Sequence, residues 1–362
     1  MPDPYLQVSA LTKSYGSVTA LGGVSFAVEK GEFVTLLGPS GSGKTTTLMI
    51  IAGFETATSG TVEIGGRSLS NIPPHARNIG IVFQNYALFP HRTALQNIMF
   101  PLKMRGVPAA EAERKARAML DLVGLSSYGD RWPKDMSGGQ QQRIALARAL
   151  VFEPSLLLLD EPLGALDKSM REQMQIEIKR IQKSLGVTTI FVTHDQSEAM
   201  TMSDRIAVFE QGRIDQIGTP QEVYRRPSTP FVARFIGDSN LLPGIVLDPE
   251  QGLVRTEHFG LMRLPDRLKA ATGAKVTLML RPESIHLAGM MDARGGDPDG
   301  MNRAEVNVHT VVPYGESTLL IGRSGGGDLR IRLRAQEADG IGSGASLKLL
   351  WPAAAVHAIP AA

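Results

Sequence analysis

The sharpest chemical signal in this 362-residue sequence is Gly38-Pro39-Ser40-Gly41-Ser42-Gly43-Lys44-Thr45-Thr46. It fits the pattern G-x-x-x-x-G-K-[ST] in full. Glycines let the backbone curl until its N–H groups point inward, a geometry that captures phosphate anions. A helix opening just after the loop adds its N-terminal dipole to the same spot. Lys44 is placed to reach the β- and γ-phosphates of a nucleotide, and the Thr45 hydroxyl to ligate Mg²⁺. A second signal is Leu156-Leu157-Leu158-Leu159-Asp160-Glu161, an apolar run ending in two adjacent carboxylates. Taken alone, that ending is a solvated turn. With a phosphate loop upstream, Asp160 is expected to help hold Mg²⁺ and Glu161 to polarise water as a general base. A third is Met136-Ser137-Gly138-Gly139-Gln140-Gln141. Ser137 is a good N-cap, so this is either an ordinary capped helix or a second phosphate-binding helix start. The residues themselves leave both readings open.

These residues need a scaffold, and the sequence suggests α/β layering over residues 1 to about 236. Leu6–Val8, Val24–Val28, Phe33–Leu37, Thr61–Ile64, Ile79–Phe83, Leu156–Leu159, Thr189–Val192 and Arg205–Phe209 read as strands. The all-leucine run suits a strand buried on both faces. Between Val82 and Leu156 strand signals stop. Ala109–Val123 and Gln140–Val151 read as helices, so a helical insertion at about 85–155 interrupts the sheet. Met174, Ile178, Ile181 and Leu185 share helical spacing, and Gly186 is a C-terminal stop. From 237 to 362 the texture changes. Lys275–Leu280, Glu305–Val312, Thr318–Ile321, Leu329–Leu333 and Ser346–Trp351 are short strands separated by glycine-rich turns, the pattern of a small barrel or sandwich. Gly295-Gly296-Asp297-Pro298-Asp299-Gly300 reads as a mobile loop.

Composition removes other chemistries. There is no cysteine, so disulfides, thiolate metal sites and cysteine nucleophiles are excluded. With 38 Lys+Arg against 36 Asp+Glu, bulk charge does not drive nucleic-acid binding. No run approaches the roughly 20 apolar residues of a spanning helix. Met1–Ala10 has no basic stretch before an apolar core, so no secretory signal is expected.

Together these residues resemble the nucleotide-binding subunits of ATP-binding cassette (ABC) transporters. Ser137-Gly138-Gly139-Gln140-Gln141 matches the family signature, with Met136 where leucine is usual. Gln84 matches the Q-loop, Ala165-Leu166-Asp167 the D-loop with Gly164 where serine is usual, and His194 the switch histidine. Tyr15 in Tyr15-Gly16 matches the adenine-stacking aromatic. The resemblance implies a P-loop NTPase core at 1–236 and an all-β, oligonucleotide-fold-like transport-associated regulatory domain at 237–362. Its cofactors would be ATP and Mg²⁺. Two copies would sit head to tail, each nucleotide lying between the phosphate loop of one and Ser137–Gln140 with Asp167 of the other. Gln84 would touch Mg²⁺ or the lytic water, and His194 would hold the γ-phosphate and align Glu161.

The partners implied are a second copy, two membrane-spanning permease subunits and, indirectly, an extracytoplasmic solute-binding protein, with no nucleic acid. The subunit would be peripheral on the cytoplasmic face of the inner membrane. Ala87-Leu88-Phe89-Pro90 is oddly apolar for a loop, and reads as packed core or as a groove for a short helix of the membrane partner. Phe231–Gly237 and Ser239–Leu242 are similar to the spermidine/putrescine importer ATPases. Iron(III) and other organic-solute importers share much of the pattern. A soluble, non-transport ABC ATPase is the distant alternative.

Overall fold

The computed structural model describes residues 4–265, 267–288 and 300–360, so positions 295–299 of the expected loop lie outside the described residues. Two compact units emerge, Met1–Pro220 and Gln221–Ala362.

The first unit opens with β1 (Leu6–Tyr15), β2 (Val18–Val28), β3 (Phe33–Leu37), helix α1 (Lys44–Ala52), β4 (Ser59–Ile64), β5 (Arg67–Ser68) and β6 (Ile79–Val82). Helices α2 (Ala94–Met104), α3 (Ala109–Leu122) and α4 (Gly138–Leu150) form the insertion. Then come β7 (Leu156–Asp160), α5 (Lys168–Leu185), β8 (Thr188–Thr193), α6 (Gln196–Met202), β9 (Arg205–Glu210) and β10 (Arg213–Gly218). The main sheet runs β10-β9-β3-β8-β7-β6, parallel except for β10. A second, antiparallel sheet runs β2-β1-β4-β5.

Every residue of β3, β7 and β8 is buried. Successive side chains of a strand point to opposite faces, so a strand covered on both sides must be apolar throughout. Leu157 and Leu159 pack with Ile98, Leu120, Ile144 and Ile178 of the helices α2 to α5. Leu156 and Leu158 pack with Leu48 and Ile51 of α1 and with Val8 and Val24 of the antiparallel sheet. Each such leucine stabilises the sandwich by about 1.5–3 kcal/mol relative to exposure. The strand tips, and the polar residues on them, are thereby held in fixed positions.

Helix α5 runs to Leu185 and stops at Gly186, as expected. Met174, Ile178 and Ile181 of α5 are buried, but Leu185 is 43% exposed. It sits in the last turn, where Gly186 at φ 60° ends the helix and the chain leaves the core. Helix α2, which no periodicity announced, starts with a reciprocal Thr93–Gln96 capping box and continues through Pro101.

The second unit begins with short helices α7 (Pro220–Arg225) and α8 (Pro230–Phe235). Strands β11 (Asn240–Asp248), β12 (Leu253–Thr256), β13 (Gly260–Arg263), β14 (Lys275–Leu280), β15 (His286–Leu287), β16 (Met301–Pro313), β17 (Ser317–Ser324), β18 (Gly327–Arg334), β19 (Ser346–Pro352) and β20 (Val356–Pro360) follow. They form two antiparallel sheets, β13-β12-β11-β14-β20 and β15-β19-β16-β17-β18, around a core containing Leu278, Ile331 and Trp351. Arg281, 4% exposed, ties α7 and α8 to the strands. Its guanidinium donates to Tyr224 O, Ala233 O, Asp238 O and Ser239 Oγ, and lies 4.0 Å over the Tyr224 ring.

Candidate active site

Strand β3 delivers the chain to the phosphate loop at its C-terminal edge. Two glycines there are forced by crowding. A Cβ on Gly38 would fall 2.4 Å from Phe209 O, and one on Gly43, at φ 99°, 2.6 Å from Leu21 Cδ2. The loop is therefore pressed against β9 and β2. Helix α1 then starts without a side-chain cap and without an acid in its first turn. Its leading N–H groups stay open to an anion. Lys44 is 4% exposed and donates to Pro39 O at 2.8 Å and Ser42 Oγ at 3.4 Å. Burial pushes its ammonium below the ordinary lysine value, with Glu161 and Asp160 pulling the other way. A buried cation whose hydrogen-bond partners are neutral is a ready partner for phosphate.

Asp160 ends β7 and accepts from Thr45 Oγ1 at 3.2 Å. Burial raises its carboxyl above the usual range, Glu161 adds to this, and the Thr45 bond and Lys44 oppose it. Thr45 and Asp160 thus converge as two hard oxygen donors beside the phosphate loop. Among the described residues no group of three His, Cys, Asp or Glu gathers to hold a metal. One carboxylate and one hydroxyl, completed by phosphate and water oxygens, is the kind of set that suits Mg²⁺.

Glu161 follows in a left-handed backbone conformation, φ 45°, unusual for a residue with a side chain. Its N–H donates to Val192 O at 3.0 Å. Its carboxylate lies 3.2 Å from His194 Nδ1 through one oxygen. The other oxygen accepts from Gln84 Nε2 at 3.5 Å. Lys44, Thr45, Gln84, Asp160, Glu161 and His194 are therefore brought to one edge of the sheet, where β3, β6, β7 and β8 end.

Ser137 and Gln140 form a reciprocal capping box at the start of α4. Asp167 caps α5 by accepting from Met170 N at 2.9 Å, and Met170 lies beside Gly139. Among the described residues, no hydrogen bond joins Ser137–Gln140 to the phosphate loop. The structure thus holds two separate groups of the expected site residues, with Tyr15 apart from both at the end of β1.

Matches to known proteins identify the family. The model described as ABC transporter matches residues 21–164, and the TOBE domain model matches residues 278–359. The spermidine/putrescine import ATP-binding protein of Thermobifida fusca is 47% identical over 325 residues, covering 87% of this chain and 82% of that protein. The chain belongs to the ABC transporter family. This ABC subunit is an ATPase, with a cassette followed by an all-β TOBE domain. A Rubrobacter xylanophilus protein of the same description is 44% identical over 356 residues, covering 96% of the subunit and 92% of the relative. An uncharacterized ABC transporter ATP-binding protein of Escherichia coli K12 is 51% identical over 265 residues, 72% and 78% of the two chains. Among solved structures, a dimeric post-hydrolysis state of the ATP-binding cassette MJ0796 with ADP and Pi superimposes with TM-score 0.54 at 33% identity. It covers 59% of this chain and 98% of that one. The cbiO1 protein of Clostridium perfringens, part of the transporter complex cbiONQ, gives TM-score 0.57 at 30% identity, covering 61% and 90%.

Several polar tethers around the ABC site carried no sequence signal. Arg77 donates to Ile50 O and Ile51 O at the C-terminal end of α1, and to Ile72 O. Arg148 donates to Tyr86 O at 2.8 Å and Ala87 O at 2.7 Å. Both recipients have left-handed backbones and follow Gln84 closely. Arg171 bridges Leu166 O to Asp195 and Glu198, just past His194. Side chains reaching distant carbonyls leave no local pattern, so no periodicity would have found them.

Proposed function

We propose that this chain is the ATP-hydrolysing subunit of a spermidine/putrescine importer, working as a head-to-tail pair of copies. The observation that carries the reading is the convergence of Gln84, Glu161 and His194 beside Lys44, Thr45 and Asp160. In this reading the loop from Gly38 to Thr46, through Pro39, Ser40, Gly41, Ser42 and Gly43, wraps the phosphates, and Lys44 neutralises the β- and γ-oxygens. Thr45 and Asp160, with Gln84 at the margin, hold Mg²⁺, which when bound neutralises charge on the transferring phosphate. Glu161 takes a proton from the attacking water, and His194 keeps the carboxylate and γ-phosphate aligned. Tyr15 stacks on the base. The capping box of α4 satisfies the N–H groups of Ser137 and Gln140, leaving Gly138 and Gly139 to offer theirs to the phosphate of the second copy. Asp167 stands beside them.

In this functional division, residues 1–236 form the catalytic cassette and 237–362 the transport-associated regulatory domain. A cavity of about 570 Å³ lined by Phe54, Phe83, Phe89, Phe100, Arg105 and Phe152 supports docking of a short helix from each permease subunit. Among the described residues no helix is long and apolar enough to cross a membrane. The subunit would work from the cytoplasmic face, where ATP is supplied, and meet the external solute-binding protein only through the permease.

The solute assignment rests on the names of the relatives, not on any residue here that touches solute. The test is ATPase activity of the reconstituted complex with its binding protein, titrated with putrescine, spermidine, ferric ion and sulfate. Stimulation by polyamines is expected. Stimulation by ferric ion or sulfate alone overturns the solute and leaves the ATPase mechanism standing.

A further inference from the structure

We propose that Lys13 and Glu55 are positioning residues that fix the Tyr15 ring as a ready-made platform for the nucleotide base. This rests on the reading of Tyr15 as the base-stacking residue, and adds what holds the ring in place.

Tyr15 is the last residue of β1 and pairs with Val18 across a tight turn containing Gly16 at φ 59°. It is 49% exposed. A tyrosine at such a hairpin tip samples several rotamers, and freezing it on binding weakens affinity. Here it is already frozen from two sides. Its hydroxyl donates to Glu55 Oε2 at 2.9 Å. Lys13 Nζ lies 4.7 Å from the ring centroid, over one face. The same ammonium donates to Glu55 Oε1 and to Thr56 O, each at 2.7 Å. One ring face is thus covered by a cation and the hydroxyl is committed, so the remaining face is what the ring offers a base. The Glu55 bond also raises the Tyr15 hydroxyl pKa, and Lys13 and Tyr15 together lower that of Glu55.

The anchor has a meaningful origin. Helix α1 carries the phosphate loop at its N-terminus and ends at Ala52. Just beyond, Phe54 N and Glu55 N fold back to donate to Met49 O at 3.0 and 3.2 Å. Phosphate cradle and base platform are therefore mounted on opposite ends of one nine-residue helix, about 13 Å long at 1.5 Å per residue. Lys13, Tyr15 and Glu55 transmit the far end of that helix to the ring plane.

The experiment uses the full chain and two probes that share phosphates and differ in the base: ATP as substrate, and inorganic tripolyphosphate as competitive inhibitor. Glu55→Ala and Lys13→Met are expected to raise KM for ATP by about threefold to tenfold. Their kcat, and the inhibition constant of tripolyphosphate, should stay within about twofold of wild type. Tyr15→Phe keeps the ring and removes the tether, so it should reproduce the KM effect of Glu55→Ala without altering Glu55. Glu55→Gln, which retains an acceptor for the hydroxyl, should fall between. A merely structural role would weaken both probes together, and that result overturns the proposal. If Tyr15→Ala raises KM while Glu55→Ala and Tyr15→Phe do not, the proposal fails and base stacking stands. If Tyr15→Ala leaves KM unchanged, base stacking fails and this proposal with it.

Discussion

The Thr193 hydroxyl donates to Glu198 Oε2 at 2.5 Å, anchoring a carboxylate that is 3% exposed five residues along the chain. His194 is the residue that directly follows β8 and Thr193, so the buried pair adjoins the proposed γ-phosphate sensor. Burial raises the Glu198 carboxyl above its ordinary value. Thr193 lowers it, Asp195 raises it, and Arg171 and His194 lower it.

That shift predicts a pH-dependent stability. A carboxyl whose folded pKa exceeds its unfolded one destabilises the fold above the folded value, where it is ionised. The cost disappears as pH falls through that value toward the unfolded one. Wild type should therefore gain melting temperature relative to Glu198→Gln as the pH is lowered from neutrality toward about 4.5. Thermal melts of both proteins across that range measure it. A difference that is flat with pH contradicts the raised carboxyl.

Lys44→Ala tests the phosphate loop. Among the described residues the buried ammonium donates to the neutral Pro39 O and Ser42 Oγ; its loss weakens the electrostatic pull on Asp160 and Glu161 but also relieves the burial cost of the ammonium itself. ATP affinity should fall by at least about 100-fold, from two charge-assisted phosphate bonds. Melting temperature should stay near wild type. Calorimetric titration showing tight ATP binding by this variant removes Lys44 from the site.

Glu161→Gln keeps the shape of the side chain at the strand tip while removing the proposed base. With hydrolysis blocked, saturating MgATP should trap the head-to-tail pair, since ligands that bridge two copies stabilise the assembly. Sedimentation should report a dimer with MgATP and a monomer without nucleotide. A monomer under both conditions counts against a shared site.

Arg148→Ala should act locally. Its guanidinium holds two successive left-handed residues, Tyr86 and Ala87, by their carbonyls. Each charged hydrogen bond lost from this half-buried group removes at most about 1.5–3 kcal/mol. Hydrogen exchange of amides 85–89 is expected to accelerate more than that of β3 or β7. Uniform acceleration would instead point to global destabilisation.

What could be read from the sequence divides along a physical line. The phosphate loop, the Leu156–Glu161 strand and the capped start of α4 are contiguous, so residue type and spacing carried them. The buried strands β3, β7 and β8 were equally plain, because a strand covered on both faces has no polar face to confuse its pattern. Short strands such as β12, β13, β15 and β20 hold too few residues for any alternation to stand out. Helix α2 was hidden by Pro101, which reads as a break. Hidden most thoroughly were the long-range polar tethers: Lys13 to Glu55 over 42 positions, Arg77 to Ile50 over 27, Arg148 to Ala87 over 61. Tertiary folding, not local spacing, decides which carbonyl or carboxylate a flexible cation meets.

Glu161 adopts a backbone handedness that suits glycine or asparagine better. Such a conformation costs on the order of 1–3 kcal/mol in a residue with a full side chain. Directed evolution of this protein would feel that tension. A library ranked on survival of heating alone would enrich glycine or asparagine at 161, and its winners would be robust proteins that no longer turn over ATP. A library ranked on solute uptake would keep glutamate and accept the lower melting point. At this one position, shelf life and work done per molecule are selected in opposite directions.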